Sequence, residues 1–334
     1  KSFTADDMLP FINHPKVLGL GEVMGYKDVI EGQEDMLKKL IINENKVKDG
    51  HAPNVTGKEL QAYVCAGIET DHECISFEEA LEKVNVGLKI LIREGSAAKN
   101  LEAIVKGLID SKIPTDNFMF CTDDKHLEDI QREGHICWNV KKAIALGMNP
   151  IIAIKMATYN TARTYGLKRL GAIAPGYKAD LVILDDLETM TVSQVIKDGK
   201  IISNETLAKV EPKPIDEAIL NTVKFDNLTS DKLKVKALDK NYVIEMIPHQ
   251  IITKKVYEEI PSENGYFKPN EIYSKLCVVE RHRGTGNVAV APLKGFGIRG
   301  GAIATSVAHD SHNIIAAGDN DEDIILAVNH LKEL

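Results

Sequence analysis

The chain has 334 residues, 44% of them hydrophobic, and carries a formal net charge of −8 at pH 7. This length is enough for two or three domains with buried cores, and the acidic balance argues against a protein that binds a nucleic-acid backbone. No run of 18 apolar residues occurs, so no membrane span is expected. The five cysteines are widely spaced and form no CxxC pair, which favours a reducing cytoplasmic compartment over a disulfide framework.

The first 150 residues alternate short apolar runs with amphipathic segments of helical length. Five strands are predicted: 16–23, 46–53, a third that ends at residue 73, 87–96 and 116–124. Five helices are predicted with them: 31–44, 57–67, a third that begins at residue 76, a fourth that ends near residue 111, and 137–147. Ser76 and Glu79 form a capping-box pattern. The alternation predicts a parallel sheet covered by helices, either an open doubly wound sheet or part of a (β/α)8 barrel.

The pattern changes after residue 166. Residues 151–166 predict one more helix ending at a glycine, and residues 171–202 contain two β-runs with Gly, Pro and Asp-Gly turn signals. From about residue 206 onwards, strand-like and helical segments are mixed. We therefore divide the chain into 1–166, 167–205 and 206–334.

Polar side chains stand at the C-terminal ends of four predicted strands. They are Glu22, His51, His72 and Asp123, and barrel-type α/β folds place their active sites at this edge of the sheet. Two imidazoles and two carboxylates suit a divalent ion such as Zn, Mn or Fe(II). A bound ion of this kind lowers the pKa of water toward neutrality. A further carboxylate must then move the proton, and Glu73 is placed to do so.

Each of these residues also has a simpler interpretation. A lone histidine at a strand end is more often a hydrogen-bonded surface residue, and Glu22 alone would be unremarkable at a loop edge. Asp123 and Asp124 could simply cap the helix that follows them. The metal-site interpretation depends on the recurrence of such residues at successive strand ends, and from the pattern alone both interpretations stay open.

A second polar cluster lies near the C-terminus, in "SVAHDSHNIIAAGDND". His309, Asp310 and His312 fall within four residues after a strand of small residues. They could form an accessory metal site, but a polar turn that packs against the barrel is the favoured interpretation.

Several motifs together resemble the bacterial and archaeal adenine deaminases of the amidohydrolase superfamily. The motifs are "LGLGEVMGY", "DGHAPNVTGKELQAYVCAGIETDHE", "LIREGS", "FCTDD", "GAIAPGYKADLVILDDL" and "GGAIATSVAHDSHNIIAAG". The fifth is similar to the superfamily's small β-domain and the sixth to a C-terminal domain peculiar to the adenine deaminases. The resemblance implies an α/β fold: a partial metal-dependent-hydrolase (β/α)8 barrel of about strands 4–8, part of a small β-domain, and a C-terminal α+β domain.

The resemblance also implies a metal site. Glu22 would bridge two metal ions at the end of barrel strand 4, and His51 and His72 would be ligands from strands 5 and 6. Asp123 would bind metal at the end of strand 8 and accept a proton from the hydrolytic water. The family points to Mn or Fe(II), with Zn as an alternative, in a binuclear centre.

The implied reaction is the hydrolytic deamination of adenine to hypoxanthine and ammonia, in cytoplasmic purine salvage by a homo-oligomer. Glu73 would carry a proton to a purine nitrogen, and Arg93 would lie at the rim of the pocket and contact the substrate. Alternatives are another amidohydrolase, such as a cyclic amidohydrolase or a deacetylase, and a catalytically inactive fragment that acts only in assembly.

One feature of the family pattern is missing. The superfamily places an HxH pair at the end of barrel strand 1, and this sequence contains no HxH. By strand count the chain is expected to begin just before strand 4, without strands 1–3 and the first half of the β-domain, and to end before its relatives do. We therefore expect a partial chain, whose activity alone stays an open question.

Overall fold

The structure is a computed structural model that describes residues 3–248, 252–308 and 311–333. The chain divides into two compact units, Lys1–Val210 and Glu211–Leu334. None of the helices in the described ranges is both long and apolar enough to cross a membrane.

The first unit contains a five-stranded parallel sheet whose strands lie side by side in sequence order. The strands are β1 Gly19–Val23, β2 Val47–Gly50, β3 Thr70–Asp71, β4 Lys89–Arg93 and β5 Phe118–Cys121. The helices around them are α1 Ala5–Ile12, α2 Tyr26–Ile30, α3 Glu34–Ile42, α4 Gly57–Cys65, α5 Phe77–Asn85, α6 Leu101–Ser111, α7 Leu127–Glu133 and α8 Ile136–Ala145. A doubly wound sheet reverses its strand order at a switch point and this sheet does not. The predicted α/β class is confirmed, with the strand order of a barrel segment.

The core of this unit forms because strands and helices each bury one apolar face. Ile90 and Ile92 of β4 are fully buried. In α6 the buried residues Leu101, Ile104 and Leu108 recur at helical spacing, as expected for a helix that covers a sheet. Each such side chain contributes about 1.5–3 kcal/mol when it is removed from water.

The helix predicted over 151–166 is interrupted by a wider turn. Its parts are α9 Pro150–Lys155, a π-helical turn Met156–Asn160 and α10 Thr161–Thr164. The buried side chain of Asn160 donates to the carbonyls of Thr115 (2.8 Å) and Phe118 (3.0 Å), beside and within β5. Apolar periodicity cannot reveal this turn, because it coincides with a polar contact between distant parts of the chain.

The predicted capping box at the start of α5 is half formed. Ser76 Oγ accepts the N–H of Glu79 at 3.2 Å. The Glu79 carboxylate, however, accepts the N–H of Ile75 (3.0 Å) and a proton of Lys83 Nζ (2.8 Å), rather than the N–H of Ser76. A buried ammonium without a carboxylate partner is more costly than an uncapped backbone N–H, so the Glu79 carboxylate pairs with Lys83.

A small antiparallel sheet completes the first unit. Its strands are β6 Leu181–Asp186, β7 Thr191–Lys197 and β8 Lys200–Ile202, in the order β6-β7-β8. The predicted Asp-Gly turn joins β7 to β8, and Asp198 and Gly199 both have positive φ (49° and 76°). Both central positions of a type I′ hairpin turn require positive φ, which this residue pair tolerates.

The second unit is an α+β structure, as predicted. A short helix α11 Asn204–Ala208 precedes it, and its elements are β9 Asn241–Met246, β10 Thr253–Glu258, β11 Ser262–Glu263, β12 Tyr266–Phe267, β13 Tyr273–Val279, β14 Val288–Lys294, β15 Ala302–Thr305, β16 Ile314–Gly318 and α12 Asp321–His330. Six of the strands form a mixed sheet in the order β10-β9-β14-β13-β16-β15. Cys277 and Ile314 of the sheet and Ile324 and Val328 of α12 are buried in one core.

We predict that Gly107→Ala destabilises the first unit, although alanine is the better helix former. Gly107 lies inside α6, and an added Cβ would lie 2.1 Å from Cγ of Phe77. Overpacking of this kind costs about 1–3 kcal/mol, measured as a fall in the free energy of unfolding in urea. Gly301→Ala is the control, because its added Cβ meets no described atom within 4 Å. Equal effects of the two substitutions would contradict the packing.

Candidate metal site

The four predicted residues lie at one edge of the parallel sheet. Glu22 is the penultimate residue of β1, His51 and His72 directly follow β2 and β3, and Asp123 comes two residues after β5. Parallel strands end at the same edge, so side chains at their carboxyl ends converge. The structure therefore brings together the residues that the strand-end pattern singled out.

Glu22, His51 and His72 form the first cluster, with one ligand-type atom of each within 4.8 Å of the others. His72 Nε2 lies 3.0 Å from Glu22 Oε2, and His51 Nδ1 lies 3.6 Å from Glu22 Oε1. The two imidazole rings are 5.5 Å apart between centroids and meet edge to face. This arrangement directs two imidazole nitrogens and a carboxylate into one small volume.

His72 also belongs to a second cluster, with Glu73 and Asp123. Its Nε2 lies 3.3 Å from Glu73 Oε1 and 4.0 Å from Asp123 Oδ1. Glu73 Oε1 is also 3.6 Å from His51 Nδ1. The geometry thus places Glu73 almost as close to the imidazoles as Glu22, while the side chain of Asp123 is the more exposed, at 38%.

Arg93 lies at the end of β4 and is buried rather than at the rim of a pocket. Its terminal nitrogens form a two-pronged ion pair with Glu73, and Nη1 also lies 3.2 Å from Asp123 Oδ2. Nε donates to Asn100 Oδ1 at 3.3 Å. All three nitrogens of the guanidinium are therefore engaged by protein groups.

The charges of this site shift the pKa values of its members strongly. Pairing with His51 and His72 holds the pKa of Glu22 well below its usual range, and the pKa of His51 is raised by Glu22. Burial opposes protonation of His72, but its contacts with Glu22 and Glu73 raise its pKa to about 10. Burial also opposes ionisation of Glu73, yet His72 and Arg93 lower its pKa to about 2. The carboxylates thus stabilise positive charge at the imidazoles, an environment that also favours a divalent cation.

The residues fit a divalent metal ion, as the resemblance of the motifs implies. Among the described residues, the buried Nδ1 of His51 lies 3.6 Å from a carboxylate oxygen of Glu22 and of Glu73, too far for a hydrogen bond to either. A metal ion bound between these groups would satisfy this buried nitrogen. Imidazole nitrogens combined with carboxylate oxygens suit Zn, Mn and Fe(II). Glu22, His51 and His72 are therefore the residues best placed to hold such an ion, with Asp123 beside them.

The C-terminal histidine cluster is only partly visible. His309 and Asp310 lie outside the described residues. His312 is described: it has a positive φ of 49°, and its carbonyl accepts from Arg281 Nε at 2.6 Å. His282 Nε2 lies 2.7 Å from the carbonyl of Ser311. These contacts hold residues 311 and 312 through their backbone carbonyls, and the accessory metal site stays a prediction.

Sequence reasoning missed Tyr63, a residue of α4 whose hydroxyl group supports the backbone of the site. Its buried hydroxyl accepts the N–H of His51 and donates to the carbonyl of Val23, both at 2.9 Å. It thereby ties the end of β1 to the residue that follows β2. The available signal was a tyrosine on the inner face of the predicted helix at 57–67, because a buried tyrosine hydroxyl usually has a partner.

Comparison with known proteins identifies the class that this fold and site define. Residues 5–202 match the model of the amidohydrolase family, and residues 250–334 match that of the adenine deaminase C-terminal domain. The first match covers well over half of the chain, which therefore belongs to the amidohydrolase family.

Within that family the chain is similar to adenine deaminases, which confirms the resemblance seen in the motifs. It is 53% identical over 333 residues to an adenine deaminase from Desulfitobacterium hafniense (strain Y51), covering 99% of this chain and 58% of the relative. It is 45% identical over 335 residues to adenine deaminase 2 from Carboxydothermus hydrogenoformans, again covering 99% and 58%. The chain thus spans 58% of the length of these curated relatives.

We predict that the chain binds a divalent ion through this cluster. Loss of a group that merely supports a metal ligand weakens binding about 10- to 100-fold, so His72→Ala should weaken it by about 10-fold or more. Affinity for Mn²⁺ is measured by equilibrium dialysis with elemental analysis. His126→Ala is the control, because His126 precedes α7 and lies outside both clusters. Equal affinities of the two variants would contradict the assignment.

Proposed function

We propose that this protein catalyses the hydrolytic deamination of adenine to hypoxanthine and ammonia. The observation that carries the proposal is the convergence of Glu22, His51, His72, Glu73 and Asp123 at one sheet edge, in a chain whose curated relatives are named adenine deaminase. The edge holds potential metal ligands and acid–base groups within a few ångströms of one another, as hydrolysis at a ring carbon requires.

In this proposal the metal would be held by Glu22, His51, His72 and Asp123. The preferred metal is Mn or Fe(II), with Zn as an alternative, and the centre would be binuclear in the intact family. A divalent ion supplies Lewis acidity there and lowers the pKa of water toward neutrality. Two imidazoles and one or two carboxylates leave further coordination positions open.

Two carboxylates would move protons: Asp123, in addition to its role at the metal, and Glu73. Asp123 is the more exposed of the two, and its Oδ1 and Oδ2 face His72 and Arg93 respectively. It would accept a proton from the attacking water and pass it to the departing amine. Glu73, ionised beside His72 and Arg93, would take the other proton of the attacking water and deliver it to a ring nitrogen of the purine, which activates the ring carbon toward addition.

Arg93 fits a supporting role better than the substrate contact expected from the sequence. Its guanidinium holds both oxygens of Glu73 and one of Asp123. A bidentate ion pair of this kind fixes the orientation of a carboxylate. Arg93 would therefore keep Glu73 ionised and hold both carboxylates in an orientation facing the metal ligands.

The proposal extends to the setting of the reaction. We place it in purine salvage in the cytoplasm, with a homo-oligomeric enzyme whose small-molecule substrate is adenine. Residues 1–166 would contribute the barrel segment and its site, 167–205 the small β-domain segment, and 206–334 the C-terminal domain.

We predict that Glu73→Gln lowers the turnover of adenine by about 10²- to 10⁴-fold, because glutamine keeps the shape of the side chain but cannot carry a proton. Ammonia release from adenine is measured on protein expressed from the complete coding sequence and loaded with Mn²⁺. Glu102→Gln is the control, since Glu102 is exposed and pairs with Lys106 on the surface of α6. Near-normal turnover by Glu73→Gln would rule out this mechanism.

Product analysis across adenine, dihydropyrimidines and N-acetylated sugars separates the alternatives. A cyclic amidohydrolase or a deacetylase would turn over dihydropyrimidines or N-acetylated sugars and leave adenine unchanged. A catalytically inactive fragment that acts only in assembly would bind less than one metal ion per chain and turn over none of the three substrates. The proposal is favoured if adenine is turned over with release of ammonia and the other two substrates are left unchanged.

A further inference from the structure

Three charged residues, two of them fully buried and the third partly buried, join the two loops that carry the histidines. The loops are 51–54, which follows β2, and 72–75, which follows β3. The charged residues are Asp71 at the end of β3 and Glu79 and Lys83 in α5. We call them the Asp71–Lys83–Glu79 network. None of them belongs to the metal-type clusters, and the proposed chemistry does not use them.

Asp71 holds the backbone next to both histidines. It is fully buried, and its Oδ1 accepts the N–H of Ala52 at 2.8 Å, one residue after His51. Its Oδ2 accepts the N–H of Glu73 at 3.1 Å, one residue after His72. One carboxylate group therefore sets the distance between the two loops.

Lys83 ties the same two loops from the helix side. Its ammonium is fully buried and donates to Asp71 Oδ2 (2.9 Å), to the carbonyl of Ala52 (2.7 Å) and to Glu79 Oε1 (2.8 Å). All three protons of the ammonium therefore have acceptors. Two of these acceptors belong to the loop ends and the third to Glu79.

Glu79 completes the connection. Its Oε1 accepts the N–H of Asn54 at 3.2 Å, and its Oε2 accepts the N–H of Ile75 at 3.0 Å. Asn54 lies three residues after His51, and Ile75 three residues after His72. Each loop is therefore held at two points, near its histidine and at its far end.

A network of buried charges contributes little net free energy to the stability of a fold. Burial of charge in a protein interior is costly, and replacement of a buried ion pair by apolar side chains is often neutral or stabilising. What the charges provide here is fixed geometry, since each bond ends on a backbone group or carboxylate at a defined place. Metal ligands need such support, because their orientation sets both affinity and reactivity.

We propose that the Asp71–Lys83–Glu79 network is a positioning unit that fixes His51, His72 and Glu73 relative to one another. This inference rests on the proposed function of the site, for which it supplies the supporting shell. Without the network the fold would persist, but the two loops would move independently and the ligand atoms would no longer converge.

The decisive variant is the double substitution Asp71→Asn with Lys83→Met, which removes the two fully buried charges together and leaves the Glu79 carboxylate with the N–H donors of Asn54 and Ile75. We expect it to stay folded, with amide hydrogen exchange at Ala52 and Glu73 in the metal-free protein at least about 10-fold faster. Its affinity for Mn²⁺ should fall about 10- to 100-fold. Its kcat should fall by a larger factor than the factor by which its KM changes.

Lys275→Met is the matched control. Lys275 is a buried lysine that pairs with Asp321 at 2.5 Å in the second unit. Its loss should lower the Tm without change in Mn²⁺ affinity or in exchange at Ala52 and Glu73. If the double variant fails to fold, Glu79→Gln takes its place, and faster exchange at Asn54 and Ile75 with weaker Mn²⁺ binding is expected.

Two outcomes would overturn the inference: wild-type Mn²⁺ affinity and amide exchange in the folded variant, or an equal loss of affinity in Lys275→Met. These results differ from a failure of the proposed function. In that case the unsubstituted protein itself would bind no Mn²⁺ or release no ammonia from adenine, while the exchange measurement would still report on the loops.

Discussion

The site depends on the position of one imidazole, that of His72, among three carboxylates. Its Nε2 lies 3.0 Å from Glu22, 3.3 Å from Glu73 and 4.0 Å from Asp123. Three carboxylates so close together repel one another unless positive charge lies between them. His72, His51 and Arg93 supply that charge in the protein, and a divalent cation would supply it more strongly. Convergence of like charges in this way is typical of functional sites rather than of stabilising contacts.

The metal-type residues could be predicted from the sequence because of a simple geometric property of parallel sheets. Strand polarity determines which edge a residue occupies, so Glu22, His51, His72 and Asp123 could be placed together without knowledge of any contact between them. The Asp-Gly turn before β8 could be predicted from a local turn signal. The alternating pattern left the strand order open between a doubly wound sheet and a barrel segment, and the barrel was implied by the resemblance.

The supporting residues could not be predicted, because their roles depend on contacts between distant segments. Arg93 looked like a residue at the rim of a pocket, whereas the structure buries it against Glu73. Tyr63 and Lys83 lie on helix faces where the periodic pattern expects apolar side chains, and only the folded chain shows what their polar ends contact. The strand β3 has only two residues, too few for any periodicity to define its ends.

The most direct measurement is the position of a bound ion. Crystals grown with Mn²⁺ give an anomalous-difference map at the metal absorption edge, in which each ion appears as a peak. We expect a peak at the sheet edge about 2 Å from His72 Nε2, with His51 and Glu22 among the remaining ligands. A map without a peak there, or with metal bound only by exposed carboxylates elsewhere, would contradict the assignment of this edge as the metal site.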